Sequence, residues 1–242
     1  MEEGLMVGQG RRTVVVTGGT RGIGAAIASR FAADGDRVVV AGLDAELAAE
    51  QLPAAVRVVQ LDVTQDGEVQ ELLSGFRDLH VLVNAAGVID RDREYDPDVF
   101  AQVLKVNLTG TMRCCVAARR ALAGSGGSII NIASMLSFFG GPNVPAYSSS
   151  KGGVMQLTKA LAVAWAEQGI RVNAVAPGWI RTDLTTELRG NAEVSRRIVD
   201  RTPMGRWGEP KDVAGAVSFL AGPDAAFITG AVLPVDGGYL AA

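Results

Sequence analysis

The sequence predicts a single α/β domain built on a doubly wound parallel sheet, with helices on both faces. Three observations carry that prediction. Short, continuous apolar runs recur along the chain, as in parallel strands buried on both faces. Stretches of helical periodicity separate those runs, with no linker and no internal repeat. Residues with chemical capacity fall just after the runs, and doubly wound sheets bind ligands beyond the carboxyl ends of their strands.

The strands are expected at Thr13–Thr17, Val38–Ala41, Val56–Leu61, Val81–Asn84, Ser128–Ile132, Ile170–Val175 and Val232–Val235. The first helix runs from about Ile23 to Asp34, directly after a glycine-rich turn. Another begins at Pro97, with Asp96 as N-cap and proline at the first helical position. It ends near Gly124-Ser-Gly-Gly127. The helix that carries Tyr147 repeats apolar residues at Val154, Leu157, Leu161 and Trp165 and stops at Gly169. A last helix starts near Pro210.

Composition narrows the function. Of the 242 residues 48% are hydrophobic and 20% charged, which suits one domain, 1–242, with a large core. The net charge of −3 leaves no basic surplus for nucleic acid. No apolar run reaches the ~18 residues of a membrane span. Residues 1–10 lack the basic start and apolar centre of a secretory signal and are expected to form a frayed tail. Cys114 and Cys115 are adjacent on a helix, poorly placed to bridge, and read as small core or interface residues in a reducing cytoplasm. His80 is the only histidine, too few for a His/Cys metal site or a hydrolase triad.

Two clusters carry chemistry. Gly18, Gly22 and Gly24 sit between the first strand and the first helix, where glycine lets backbone N–H groups approach a pyrophosphate. Tyr147 and Lys151 are four apart on a helix, which puts phenol and ammonium on one face with Cβ atoms about 5–6 Å apart. A nearby cation favours the phenolate, so the tyrosine is expected to titrate below its usual range and to exchange protons with an alcohol. Ser134 could donate to a substrate oxygen, although serines in such loops are usually turn residues. Asp62 could accept from an adenine amine or cap a turn. Asn84-Ala-Ala-Gly87 could close a strand end or let a ribose lie against its backbone.

The chain resembles the short-chain dehydrogenase/reductase family over essentially its full length. The matching motifs are Thr17-Gly-Gly-Thr-Arg-Gly-Ile-Gly24, Asn84-Ala-Ala-Gly87, Asn107, Ser134, Tyr147-Ser-Ser-Ser-Lys151, Pro177-Gly178 and Val235-Asp-Gly-Gly238. The resemblance implies a Rossmann-type fold, a nicotinamide cofactor, an alcohol or ketone substrate and a homotetramer. It makes Tyr147 the general acid/base. Lys151 would hold the nicotinamide ribose and lower the tyrosine pKa. Ser134 would orient the substrate, and Asn107 would hold a water in a proton relay. Thr182 would contact the carboxamide, and Asp62 and Val63 the adenine. The implied cofactor contacts also include Gly18, Thr20, Arg21, Gly22, Ile23 and Asp44. Asn84, Ala85, Ala86, Gly87, Pro177, Gly178 and Ile180 complete them. Residues 183–202 would form a mobile substrate lid.

Cofactor choice turns on the end of the second strand. An acid there would hold the ribose of NAD, and a following arginine would suit NADP. The chain has Gly42 and Leu43 at those places, so it departs from both patterns. Asp44 lies slightly further on and would repel a phosphate, whereas Arg21 could attract one, so NAD is the expected cofactor and NADP the alternative. Ser134-Met-Leu-Ser-Phe-Phe-Gly-Gly141 and Arg201-Thr-Pro-Met-Gly-Arg-Trp-Gly208 are similar to relatives acting on sugar acids, such as 2-deoxygluconate and 2-dehydro-3-deoxygluconate dehydrogenases. One arginine of Asp90-Arg-Asp-Arg93, or Arg181, could bind a substrate carboxylate, although such residues more often form surface ion pairs. The competing readings are a 3-oxoacyl carrier protein reductase type, which predicts a basic docking patch and NADPH, and a cofactor-binding regulator without chemistry. A methyltransferase shares the layered sheet but would not need Tyr147 and Lys151 in register.

Overall fold

The computed structural model describes residues 11–242; the expected tail at 1–10 lies outside the described residues. Seven strands form one parallel sheet in the order β3-β2-β1-β4-β5-β6-β7. They are β1 (Thr13–Thr17), β2 (Arg37–Gly42), β3 (Arg57–Gln60), β4 (Val81–Asn84), β5 (Ser128–Ile132), β6 (Arg171–Pro177) and β7 (Val232–Val235). The order reverses between β1 and β4, and such a switch point opens a crevice at the carboxyl ends of the strands. In that crevice Thr17 pairs in register with Asn84, and Asn84 with Asn131.

The helices are α1 (Gly22–Ala33), α2 (Ala45–Gln51), α3 (Asp66–Ser74), α4 (Pro97–Leu104), α5 (Thr111–Ser125), α6 (Pro145–Trp165), α7 (Thr186–Gly190), α8 (Ala192–Arg201) and α9 (Pro210–Ala221). Strand alternation sorts the core into two layers. Val14 and Val16 point to a cluster with Ile27, Phe31, Val213 and Val217 under α1 and α9. Val15 points the other way, to Leu73, Leu82, Leu122, Trp165 and Val172 under α3, α5 and α6. Burying each such side chain contributes about 1.5–3 kcal/mol.

Most strands match their sequence reading to within two residues, but burial on both faces fails at the edges. β3 is exposed at Arg57 and Gln60, and β7 at Leu233 and Pro234. The expected single helix from Pro97 is also corrected. Asp96 does cap it, accepting from the Asp98 N–H at 2.8 Å. It then widens into a π turn at Lys105–Gly110 before α5 resumes. Apolar spacing does not reveal a local shift from i+4 to i+5 bonding, and such bulges gather at functional sites. This one carries Asn107. α6 ends at Trp165, and a short 3-10 turn at Ala166–Gln168 leads to Gly169 at φ 73°.

Gly24, in the first turn of α1, lies hard against the preceding chain, and a Cβ there would collide with the Gly18 carbonyl oxygen. Backbone, not a yielding side chain, blocks it. Gly24→Ala should therefore destabilise the domain by about 1–3 kcal/mol in urea denaturation, as overpacking does; unchanged stability would mean that this turn can move.

Candidate active site

The glycine turn is held open as an anion cradle. Arg21 precedes α1, no side chain caps the first N–H groups of the helix, and no acid lies in its first turn. Free donors and the helix dipole together favour a negatively charged ligand. Gly18 takes φ +67°, and its Cα lies flat on the Ala85–Ala86 backbone, where any side chain would collide. The Ala85 N–H donates to the Thr17 carbonyl at 2.9 Å, tying the end of β4 to that of β1. Gly22 faces Thr182, whose methyl would lie 3.4 Å from a Cβ there. Ile23 turns into the core beside α1. On the β6 side, a Cβ on Gly178 would lie 2.7 Å from the Asp236 Cα, so Pro177-Gly178 passes closely under the end of β7. Ile180 is buried and bridges to Gly208. Gly18 thus lies against Ala85 and Ala86, and Gly22 against Thr182, at the carboxyl ends of the strands.

Thr20 explains why the end of β2 fits neither selectivity pattern. A Cβ on Gly42 would lie 3.1 Å from the Thr20 methyl, so the threonine covers the place of the missing acid. Asp44 follows, exposed, in a left-handed conformation (φ 56°); its carbonyl accepts from the Ala48 N–H of α2 at 3.1 Å, and its carboxylate caps nothing in that helix. Arg21 is exposed and has no ion pair among the described residues. Asp62 caps a turn, accepting from the Thr64 N–H at 2.8 Å. Partial burial would raise its carboxyl, but bonds from Thr64 and Gln65 and the charge of Lys105 prevail and hold it below the usual range. Val63 is buried against the π turn, 2.8 Å from where a Gly110 Cβ would stand.

Tyr147 and Lys151 occupy one face of α6, with the ammonium 5.6 Å from the ring centroid. Lys151 is 4% exposed and donates to the Ile132 carbonyl at 2.7 Å. Gly87 lies beside it, and a Cβ there would be 3.6 Å from Nζ and 3.4 Å from the Asn107 side-chain oxygen. Asn107 is fully buried. Its amide donates to the Val88 carbonyl at 2.9 Å and to Ser150 Oγ at 3.0 Å, and its oxygen accepts from the Val88 N–H at 2.8 Å. Its side chain therefore clamps the loop after β4. Ser134 opens a short 3-10 turn (Met135–Ser137), accepting from the Leu136 N–H at 3.1 Å, and its hydroxyl also faces the Tyr147 phenol.

The expected acid shift of the tyrosine is corrected. Burial raises the phenol above its ordinary range, and the pull of Ser134 and Arg91 does not overcome it, while Glu94 adds to the rise. Lys151 has itself been taken out of water, which brings its pKa down to about 8. Spacing along a helix shows which groups are neighbours but not how much water each has lost, and desolvation wins here.

Above the crevice, a 3-10 turn at Asp183–Thr185 leads into α7 and α8 over the segment expected to be a lid. Arg91 reaches it, donating to the Leu184 carbonyl at 2.8 Å. Arg93 pairs instead with Asp90 at 3.3 Å, and Arg181 with Glu209 at 3.1 Å, both on the surface. Arg201 at the end of α8 lies 4.4 Å over the Tyr239 ring, and Trp207 Nε1 donates to Ser195 at 3.0 Å. Between α8 and the C-terminal segment is a cavity of about 310 Å³ lined by Trp179, Ile198, Arg201 and Tyr239. A cleft of about 700 Å³ opens near Asp34, Asp36 and Gly222, but its Arg12 and Arg30 are paired with Asp36 and Asp34.

Cys114 and Cys115 are buried and unbridged, and burial pushes the Cys114 thiol up to about 12, which keeps it inert. His80 Nδ1 accepts from the Thr13 N–H at 3.1 Å, a structural bond at the start of β1. Sequence reasoning passed over Glu94. In Asp90-Arg-Asp-Arg-Glu94 it looks like one more solvated charge, yet it is fully buried at the start of α6.

The comparisons agree with this fold. A family model described as Enoyl-(Acyl carrier protein) reductase matches residues 18–240. The galactitol 2-dehydrogenase (L-tagatose-forming) of Cereibacter sphaeroides is 41% identical over 239 residues, covering 93% of each chain. The 2-dehydro-3-deoxy-D-gluconate 5-dehydrogenase of Escherichia coli K12 is 38% identical over 242 residues, covering 95% of this chain and 96% of its own. A candidate 2-deoxy-D-gluconate 3-dehydrogenase from Agrobacterium tumefaciens, solved with bound NADP, superposes with a TM-score of 0.88 at 39% identity, covering 96% and 97% of the two chains. Fold, crevice and relatives converge, and the chain belongs to the short-chain dehydrogenase/reductase family.

Proposed function

We propose that this enzyme is an NAD(P)-dependent dehydrogenase that interconverts a secondary alcohol and a ketone on a polyol or sugar acid. The observation that carries the reading is the convergence of Tyr147, Lys151 and Ser134 beside Gly87, next to an uncapped helix N-terminus. The residues fit a dinucleotide. The first turn of α1 offers unclaimed N–H donors, and Gly18 and Gly87 leave its path free of side chains. The α1 turn, from Gly18 to Ile23, holds the pyrophosphate. Asp62 and Val63 hold the adenine, Asn84 to Gly87 and Lys151 the ribose, and Pro177 to Thr182 the carboxamide. When bound, the nicotinamide supplies or accepts the hydride.

Ser134 binds the substrate oxygen, and Tyr147 gives or takes its proton. Lys151 contributes a buried cation that stabilises negative charge as it develops on the phenol. Asn107 keeps Val88 and Ser150 in place beneath this pair. The raised phenol rests protonated at neutral pH, which suits carbonyl reduction, and alcohol oxidation gains as pH rises. Arg91 is the candidate for a substrate carboxylate. Unlike Arg93 and Arg181 it has no acidic partner among the described residues, and it lies close enough to Tyr147 to affect the phenol. Residues 183–202 act as the lid.

A homotetramer is the proposed assembly. Met112 and Val116, one turn apart on α5, and Val163 on α6, Phe219 on α9, Leu233 on β7 and Phe227 are large apolar side chains left exposed. Apolar side chains left exposed on several elements suit burial between subunits. No helix among the described residues is long and apolar enough to cross a membrane. The cytoplasm is the proposed compartment, where Cys114 and Cys115 stay reduced.

Three measurements test this reading. Tyr147→Phe should lose at least about a hundredfold in turnover while binding NADH as before, because only the proton donor is removed; near-native turnover would refute the assignment. Arg91→Met should raise KM for a sugar acid about tenfold or more and leave KM for galactitol unchanged. An equal effect on both would remove Arg91 from carboxylate binding. Asp44 should favour NADH over NADPH in parallel fluorescence titrations, and Asp44→Ala should narrow the gap. Tighter NADPH binding in the wild type would transfer selection to Arg21.

A further inference from the structure

We infer that Glu94 is a positioning residue for the reaction: its buried carboxylate fixes the backbone of Tyr147 and the turn that carries Arg91. The inference rests on the reading of Tyr147 as the acid/base.

The geometry begins with a helix that lacks its own cap. Val144 precedes α6 and offers no side-chain acceptor, and Pro145 at the first position has no N–H. The first intrahelical bond runs from the Ser148 N–H to the Val144 carbonyl at 2.9 Å. The Tyr147 N–H is therefore left over, and it donates to Glu94 Oε2 at 2.8 Å, across 53 residues of chain. The other carboxylate oxygen accepts from the Asp90 N–H at 3.0 Å.

Glu94 is 0% exposed and belongs to no ion pair among the described residues. A buried charge needs compensation. Here the α6 N-terminus supplies it, since a helix start carries partial positive charge. The bond to Asp90 fixes the turn in which the Arg93 N–H meets the Asp90 carbonyl at 3.2 Å, and Arg91 rides on that turn. One carboxylate thus places both the proton donor and the neighbouring arginine.

The charge has its own consequence. The groups that face the phenol are Ser134 from the loop after β5, Arg91 and Glu94 from the loop after β4, and Lys151 from α6 itself. Ser134 and Arg91 favour the phenolate, and Glu94 opposes it. Neutralising Glu94 without changing its shape should ease ionisation of Tyr147, so the phenol should titrate at lower pH and the acid limb of alcohol oxidation should follow.

The test needs no substrate. The protein has three tyrosines, so ¹³C-tyrosine NMR of the full chain saturated with NADH gives three ring signals, and Tyr147→Phe identifies one of them. Glu94→Gln should lower the Tyr147 midpoint, because the charge that opposes the phenolate is gone. Glu94→Asp, which keeps the charge, should leave the midpoint near wild type. A merely structural role would lower the melting temperature of both variants and move neither midpoint, and that result would overturn the inference. Should Glu94→Gln fail to fold, the wild-type Tyr147 amide decides. Slow hydrogen exchange supports the bond to Glu94, and exchange as fast as a frayed helix start refutes it. The two readings fail separately. Native turnover in Tyr147→Phe removes the acid/base assignment, whereas an inactive Tyr147→Phe with an unmoved midpoint in Glu94→Gln removes only the role of Glu94.

Discussion

The hydrogen bond between the side chains of Asn84 and Asn131, 2.9 Å long at the carboxyl ends of β4 and β5, ties the sheet to the helices that carry the candidate site. The two asparagines are register partners in adjacent strands. Asn131 passes the connection on, donating to Thr158 Oγ1 at 2.9 Å, and Thr158 bonds the Val154 carbonyl inside α6 at 2.8 Å. Asn84 also donates to Cys115 Sγ on α5 at 3.2 Å. Asn84, Asn131 and Thr158 are buried, where an unpaired amide would cost about 1–3 kcal/mol. The network is satisfied only at one depth and rotation of α6 against the sheet. That setting determines where Tyr147 and Lys151 point.

A second set of bonds trims the setting locally. Ser150 donates to the Tyr147 carbonyl at 2.7 Å, and Ser137 to the Lys151 carbonyl at 2.7 Å. Asn107 joins Ser150 to Val88, so the π turn, the loop after β4 and α6 meet at one amide. Ser148, which accepts from the Gly141 N–H at 3.1 Å, and Ser150 are therefore not passive spacers in Tyr147-Ser-Ser-Ser-Lys151. Their hydroxyls let a helix packed tightly against neighbours keep its polar groups bonded while its Tyr–Lys face stays clear for ligand.

Electrostatics in this site follow burial more than pairing. Lys151 is brought to about 8 by desolvation alone, yet a protonated ammonium persists at neutral pH. The phenol is raised for the same reason. A low-dielectric pocket magnifies each remaining charge, so Arg91 and Glu94, three residues apart, matter more here than they would on a surface.

The strand and helix pattern, the helix start at Asp96-Pro97, the glycine turn and the Tyr147–Lys151 spacing were legible in the sequence, because each is set by neighbours within a few residues. Hydrophobic period, cap chemistry and proline geometry are local, and they survive into the fold. The rest needed the third dimension. The π turn around Asn107 depends on Gly110 packing against Val63, which is 47 residues away in the chain. Of the three arginines considered, only contacts with Asp90, Glu209 and Leu184 distinguish the paired ones from Arg91. Glu94 looks solvated in its charged stretch until α6 is laid over it. The acidity of Tyr147 could not be judged from a cation four residues away, because burial belongs to the whole packed molecule and no single segment encodes it.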